Sequence, residues 1–246
     1  MLSRIEAKLS RFYHFVMYAI VWLIHFLILR PLVRVKISGK ENLPKKGRVI
    51  LAANHQNFFD GFLMVYPLGP FKRVSFLIAK RSLPSLSVFI ARSIGFAVIG
   101  NEIEDYQRAL KKLNKILSHG GWVGIFPEGD VSPRNIPRRF KGGVAKLSVD
   151  SRTKVVPIYL SGTYNLRHFK YLLKRPEVSL KIGKPVDLYS YSSEFGNNLD
   201  GMAGLLRERV LELADLKLEE KEQNKKTNKI SSLKKNISVL DSVNIS

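Results

Sequence analysis

His55 and Asp60 are the pair of side chains in this sequence best suited to chemistry, in the run Asn54-His55-Gln56-Asn57-Phe58-Phe59-Asp60-Gly61. A carboxylate on one imidazole nitrogen sets the tautomer and leaves the other nitrogen to take a proton. That is the equipment of a general base, which can make a hydroxyl nucleophilic near neutral pH. On one regular helix, residues five apart lie about 140° apart and would not meet. They meet if His55 sits on the turn ahead of a helix and Asp60 lies in its first turns. Residues 48–53 read as a buried strand and residues 59–66 as a short helix, so a strand-turn-helix context supplies that arrangement. The same spacing fits a surface His beside a helix N-cap, with Asn57 as the cap. For an isolated pair that plainer reading prevails.

The pair is not isolated. Phe126-Pro127-Glu128-Gly129 follows a second strand-like run, Phe140-Lys141-Gly142-Gly143 opens a helix, and Val156-Pro157-Ile158 lies beyond it. These four blocks in this order resemble the glycerophospholipid acyltransferase family, in its bacterial 1-acylglycerol-3-phosphate acyltransferase branch. The resemblance covers roughly residues 30–190. It implies transfer of a fatty acyl group from acyl-CoA or acyl-carrier protein to a glycerol hydroxyl, the sn-2 hydroxyl of 1-acylglycerol-3-phosphate. His55 would be the base and Asp60 its orienting partner. Glu128 and Gly129 would lie beside the acceptor pocket, Gly129 allowing close backbone approach. A thioester is already activated, so one base is sufficient, and neither metal nor cofactor is expected.

Two positions depart from the family pattern. Asn101 stands where the second block carries an arginine, and Val131, after Asp130, stands where the third block carries another. Those arginines are the ones the resemblance would place on the acceptor phosphate, and an Arg–phosphate fork is strong and directional. Substitute cations are at hand in Arg134, Arg138, Arg139 and Lys141, and in Lys80 and Arg81. Otherwise the acceptor is another lipid, such as a glycolipid or a different lysophospholipid. A cluster of this kind on a loop is also commonly just a solvated face.

The elements that must position these groups alternate in type. Strands are expected at residues 48–53, 74–79, 96–99, 122–126, 155–160 and 178–182, and helices at 59–66, 86–93, 103–117, 142–149 and 199–213. Ile103, Tyr106, Leu110, Leu113 and Leu117 make 103–117 the clearest amphipathic helix. The alternation predicts an α/β domain with a mostly parallel central sheet flanked by helices, and sites at the carboxyl ends of its strands. His119 reads as a cation at a helix C-terminus and His168 as a loop residue.

The chain has 246 residues, no cysteine, and 41 basic against 20 acidic side chains, for a net charge of +21. That length admits a sizeable core. The absence of cysteine excludes disulfides, Cys-ligated zinc, iron–sulfur clusters and a thiol nucleophile. The charge points to an anionic partner. Residues 1–50 hold ten of the basic and two of the acidic side chains, and they bracket the uncharged stretch 12–29. As a helix that stretch is about 27 Å long, at the lower limit for crossing a bilayer. It could span a membrane, lie in one leaflet, or be a core helix; its flanking Arg, Lys, Trp and Tyr favour a lipid interface. Dense charge around an apolar helix, with no base-stacking platform, disfavours nucleic acid. The expected organisation is a membrane-associated helix at 1–34, a catalytic domain at 35–214 on the cytoplasmic face, and a partly disordered polar tail at 215–246. The partners are then membrane lipids, a lysophospholipid acceptor, and acyl-CoA or acyl-carrier protein. A non-catalytic membrane protein of the same fold is the competing class.

Overall fold

The computed structural model describes residues 2–79, 85–93, 96–100, 103–132, 136–167, 173–196 and 198–214. The tail at 215–246, Lys80, Arg81, Asn101, Arg134 and His168 lie outside the described residues. Seven strands form one sheet: β1 (Arg34–Ser38), β2 (Val49–Ala53), β3 (Val74–Ala79), β4 (Ala97–Ile99), β5 (Trp122–Ile125), β6 (Val155–Ser161) and β7 (Glu177–Ile182). Their order across the sheet is β1-β7-β6-β2-β5-β3-β4. All neighbours are parallel except β6 and β7. The α/β, mostly parallel expectation is therefore borne out, and β1 and β7 run opposite to the other five strands.

β2 lies at the centre and all five of its residues are buried. A strand covered on both faces must be apolar on both faces. Val49, Leu51 and Ala53 join one core, whereas Ile50 and Ala52 join the other. The first core packs beneath α1 (Leu2–Leu32), α2 (Asp60–Val65) and α3 (Ser85–Ser93). The second is roofed by α4 (Ile103–Ser118), α5 (Gly143–Ser151) and α6 (Leu199–Leu213). Leu110, Leu113 and Leu117 of α4 are all buried, as its periodicity requires.

α1 is laid along the first face. Its Tyr18 hydroxyl donates to the Lys72 carbonyl at 3.1 Å, ahead of β3. Trp22 Nε1 donates to the Val65 carbonyl at 3.4 Å. The His25 ring stacks on Phe62 of α2 with centroids 3.4 Å apart. Near its end, the Arg30 carbonyl accepts from Arg175 ahead of β7. The opposite side carries Ile20, Leu23, Ile24, Leu27 and Ile28, between 43% and 61% exposed, and Phe12 nearer the start of the helix is 69% exposed. By length and composition, residues Phe12–Leu32 are apolar enough to cross a membrane, and almost none of that window is buried.

Candidate active site

β2 and β5 are adjacent, with Ala52 opposite Ile125, and both release their chains at the same edge of the sheet. The loop 54–59 and the loop 126–132 therefore start side by side at the carboxyl ends of parallel strands, where open α/β sheets form sites. Asn54 closes the end of β2 against β6. Its Oδ1 accepts from Leu160 N at 2.7 Å and its Nδ2 donates to Leu160 O at 2.9 Å, continuing the ladder with a side chain. Asn57 Nδ2 donates to the Thr163 carbonyl at 3.1 Å, and the Thr163 hydroxyl donates to Gln56 Oε1 at 3.1 Å. These polar groups are buried, and each bond avoids the cost of an unpaired donor or acceptor.

This frame brings His55 onto Asp60. His55 Nδ1 lies 2.9 Å from Asp60 Oδ2, and the Asp60 carboxylate is completely buried. The same oxygen accepts from the backbone N–H groups of Gln56 and Asn57. Asp60 thus folds the turn and holds the imidazole with one atom. A carboxylate only accepts, so Nδ1 carries the hydrogen and Nε2 keeps its lone pair. Phe126 stacks on the imidazole with centroids 4.1 Å apart and rings within 14° of parallel. Asn57 contributes a turn bond, its Oδ1 accepting from Phe59 N at 3.2 Å, while Asp60 itself opens α2.

The second loop grips His55 from behind. Glu128 is 5% exposed, and its Oε1 accepts from His55 N at 2.8 Å while its Oε2 accepts from Arg138 N at 2.9 Å. Ser132 N donates to the His55 carbonyl at 2.6 Å. Both oxygens of Glu128 are therefore engaged with backbone. Burial raises its pKa, and the two N–H groups and the neighbouring Arg138 charge act against that rise. Gly129 has φ of 75°, a conformation that favours glycine, and a Cβ there would stand 2.7 Å from Lys141 Nζ.

The cations expected near the acceptor are placed unequally. Lys141 lies against Gly129, its backbone N–H bonded to Pro127 O at 2.9 Å. Arg138 is exposed and close enough to Glu128 to act on it electrostatically. Arg139 turns away to Asp200 of α6, at 2.8 Å between exposed groups, and Asp200 also accepts from Gly142 N. Arg207 of α6 donates to the carbonyls of Pro137 and Arg138, between 2.8 and 3.0 Å, and so fixes the loop carrying these residues. The sequence reading missed Asn54, Phe126, Thr163 and Arg207. Asn54 and Phe126 stand inside the motifs without having been given a role, whereas Thr163 and Arg207 carried no local signal. His119 Nδ1 lies 2.7 Å from the Lys115 carbonyl at the end of α4, away from the pair. Among the described residues no three His, Asp or Glu side chains gather as a metal site would require.

Comparison with known proteins falls on the same segment. The model of a family described as Acyltransferase matches residues 34–161. A Borreliella burgdorferi protein named 1-acyl-sn-glycerol-3-phosphate acyltransferase is 30% identical over 137 residues, 54% of this chain and 53% of that protein. A Saccharomyces cerevisiae protein of the same name is 30% identical over 163 residues, 62% of this chain and 51% of that protein. The chain thus spans about half the length of these curated relatives. In fold, it is similar to the crystal structure of the 1-acyl-sn-glycerophosphate acyltransferase from Thermotoga maritima. The TM-score is 0.61 at 23% identity, over 86% of this chain and 83% of that one.

Proposed function

The chain belongs to the acyltransferase family, whose model matches residues 34–161, and from that premise we propose that it moves a fatty acyl group from an acyl thioester to the sn-2 hydroxyl of 1-acylglycerol-3-phosphate. The observation that carries this reading is the 2.9 Å contact between His55 Nδ1 and Asp60 Oδ2 at the carboxyl end of the central strand. The acceptor hydroxyl gives its proton to His55 Nε2 as its oxygen attacks the thioester carbonyl. A new C–O ester bond forms, the C–S bond breaks, and the imidazolium returns its proton to the departing thiolate. Buried Asp60 stabilises that imidazolium and keeps the ring in place. Phe126 covers one face of the ring. In this reading Lys141, beside Gly129, and Arg138 meet the acceptor phosphate, and Arg139 is drawn off by Asp200. Acyl-CoA or acyl-carrier protein serves as donor, and the chemistry asks for no cofactor.

A second reading concerns the acceptor alone. Asn101 and Val131 stand where the family pattern has arginines, and Asp130 adds a negative charge next to Val131, which favours an acceptor lacking a phosphate monoester. The test is a panel of lysophosphatidate, other lysophospholipids and monoacylglycerol, each with acyl-CoA and with acyl-carrier protein. The proposal expects esterification of lysophosphatidate to be fastest. Equal rates on monoacylglycerol would remove the phosphate from the recognition scheme, and no ester with any acceptor would end the acyltransferase reading.

The enzyme works at a lipid surface, with residues 1–34 as the anchor, 35–214 as the catalytic unit and 215–246 as a polar tail. α1 lies in one leaflet on the cytoplasmic side rather than spanning. Its inner face is held along the sheet by Tyr18, Trp22 and His25, while its outer face is apolar. A helix so held cannot stand across a bilayer without carrying the domain into the hydrocarbon. Leu23 and Leu27 are 50% and 61% exposed. Each leucine buried in lipid contributes about 1.5–3 kcal/mol. The double variant Leu23→Asp, Leu27→Asp is expected to lower affinity for vesicles by at least about a hundredfold, with its thermal transition unchanged. Sedimentation with vesicles measures this, and undiminished binding would refute the anchor.

A further inference from the structure

At the β3–β4 edge of the sheet, away from His55, cations from three elements come together. Arg73 immediately precedes β3, Arg92 is in the last turn of α3, and Lys112 is on α4. Lys112 Nζ donates to the Phe96 carbonyl at 2.8 Å, which holds α4 over the start of β4. Burial lowers the Lys112 pKa, and the positive charges of Arg73 and Arg92 lower it further. Arg73 is itself half-buried beside Tyr18 of α1. Among the described residues none of the three has a carboxylate partner. Like charges brought together at a partly desolvated place repel, and an anion relieves that repulsion.

The surroundings identify the anion's source. Phe71 precedes Arg73 by two residues, Phe89 and Ile90 precede Arg92 within one turn of α3, and the three are 79%, 67% and 41% exposed. Phe71 stacks on Phe15 of α1 at 6.3 Å between centroids, so this apolar rim continues the open face of that helix. Lys72 packs over the Trp122 ring at 4.2 Å, and the Tyr18 hydroxyl bonds its carbonyl, so the segment 71–73 is held rather than loose. Exposed aromatic side chains mixed with basic ones on a surface next to an apolar helix suit a bilayer interface. Val74, next to Arg73, is level with Trp122, four residues before Phe126, whereas Phe96, which holds Lys112, immediately precedes β4, three strands from β2 and so about 14 Å across the sheet from the strand that carries His55. It is therefore a different place from the acceptor site.

We infer that Arg73, Arg92 and Lys112 form a headgroup-phosphate site for anionic phospholipid, and that with Phe71, Phe89 and Ile90 they make a second membrane contact. This rests on the reading of α1 as a helix lying in one leaflet. Together the two contacts set the tilt of the sheet on the membrane: α1 supplies apolar attachment, and the cation site supplies lipid selectivity.

The test compares sedimentation of the full chain with phosphatidylcholine vesicles and with phosphatidylcholine vesicles doped with phosphatidylglycerol. Wild type is expected to prefer the anionic vesicles. In the double variant Arg73→Gln, Arg92→Gln that preference falls about thirtyfold, at about 1 kcal/mol per basic residue near the surface, while affinity for neutral vesicles stays. Arg73→Lys, Arg92→Lys retains most of the preference, and an unchanged thermal transition in both variants excludes misfolding. An undiminished preference in the Gln variant overturns the site. So does a Gln variant that keeps its lipid preference but loses activity only with acyl-carrier protein, since the patch would then be a carrier contact. The α1 reading fails separately: the Leu23→Asp, Leu27→Asp protein would keep its affinity for neutral vesicles. Absence of wild-type binding to either vesicle overturns both.

Discussion

His55→Ala is expected to lower kcat/KM for acyl transfer by about a thousandfold, in the middle of the range for removing a general base. The loss falls on kcat, because the base acts as the hydroxyl proton leaves and contributes little to holding either substrate. The protein should remain folded. His55 has an 18% exposed side chain, and its structural contacts to Glu128 and Ser132 run through its backbone, which alanine keeps. The stack on Phe126 is lost, at a cost of about 1 kcal/mol. Steady-state rates with lysophosphatidate and an acyl thioester, read by product mass, make the measurement. A variant within tenfold of wild type would remove His55 from the chemistry, and with it the general-base mechanism.

Glu128→Ala should damage both stability and turnover while leaving acceptor binding nearly intact. The sequence resemblance set Glu128 beside the acceptor pocket. The structure gives its two oxygens to the backbone N–H groups of His55, on the first loop, and of Arg138, ten residues on from Glu128. Alanine leaves both donors without that acceptor in a largely buried place, and each such loss costs about 1–3 kcal/mol. A total of about 2–4 kcal/mol is expected in denaturant unfolding. The turn carrying His55 also loses its brace. A displacement of about 1 Å at a reacting group can cost about a hundredfold in rate, so kcat should fall by that order. KM for the acceptor should stay within about twofold. A large rise in KM with unchanged kcat and stability would instead return Glu128 to the acceptor pocket.

How much of this was legible in the sequence follows from the distances over which each feature is decided. The strand-turn-helix around His55 and Asp60 is local. Six residues hold the pair, β2 before them is apolar at every position, and Asp60 bonds the N–H groups of residues three and four before it. Backbone geometry within one turn limits the outcomes to a few, so the contact could be expected from spacing. The same holds for α4, whose apolar positions recur at three and four, and for the alternation of strands and helices that implies a parallel sheet. The expected strands match the observed ones within a residue or two for this reason.

What lay beyond reach depends on groups far apart along the chain. Asn54 meets Leu160 across 106 residues, Glu128 meets His55 across 73, and Arg139 meets Asp200 across 61. None of these pairings has a period or a spacing to reveal it. Each exists because β2 lies between β5 and β6, and strand order is settled by how all the apolar faces are buried together. The pairing of β1 with β7 belongs to the same class. So does the choice of which side of α1 meets the sheet, since that helix is apolar all round and its sequence favours no face. Tyr18, Trp22 and His25 were chosen by the partners waiting at Lys72, Val65 and Phe62. The sequence alone determined the His55–Asp60 contact, the class of fold and the presence of a long apolar helix, because periodicity and short loops encode them. Tertiary structure alone decided that Glu128 holds the backbone of His55, that Arg139 is drawn to Asp200, and that three cations meet at the β3–β4 edge of the sheet, because only packing brings those distant groups to one place.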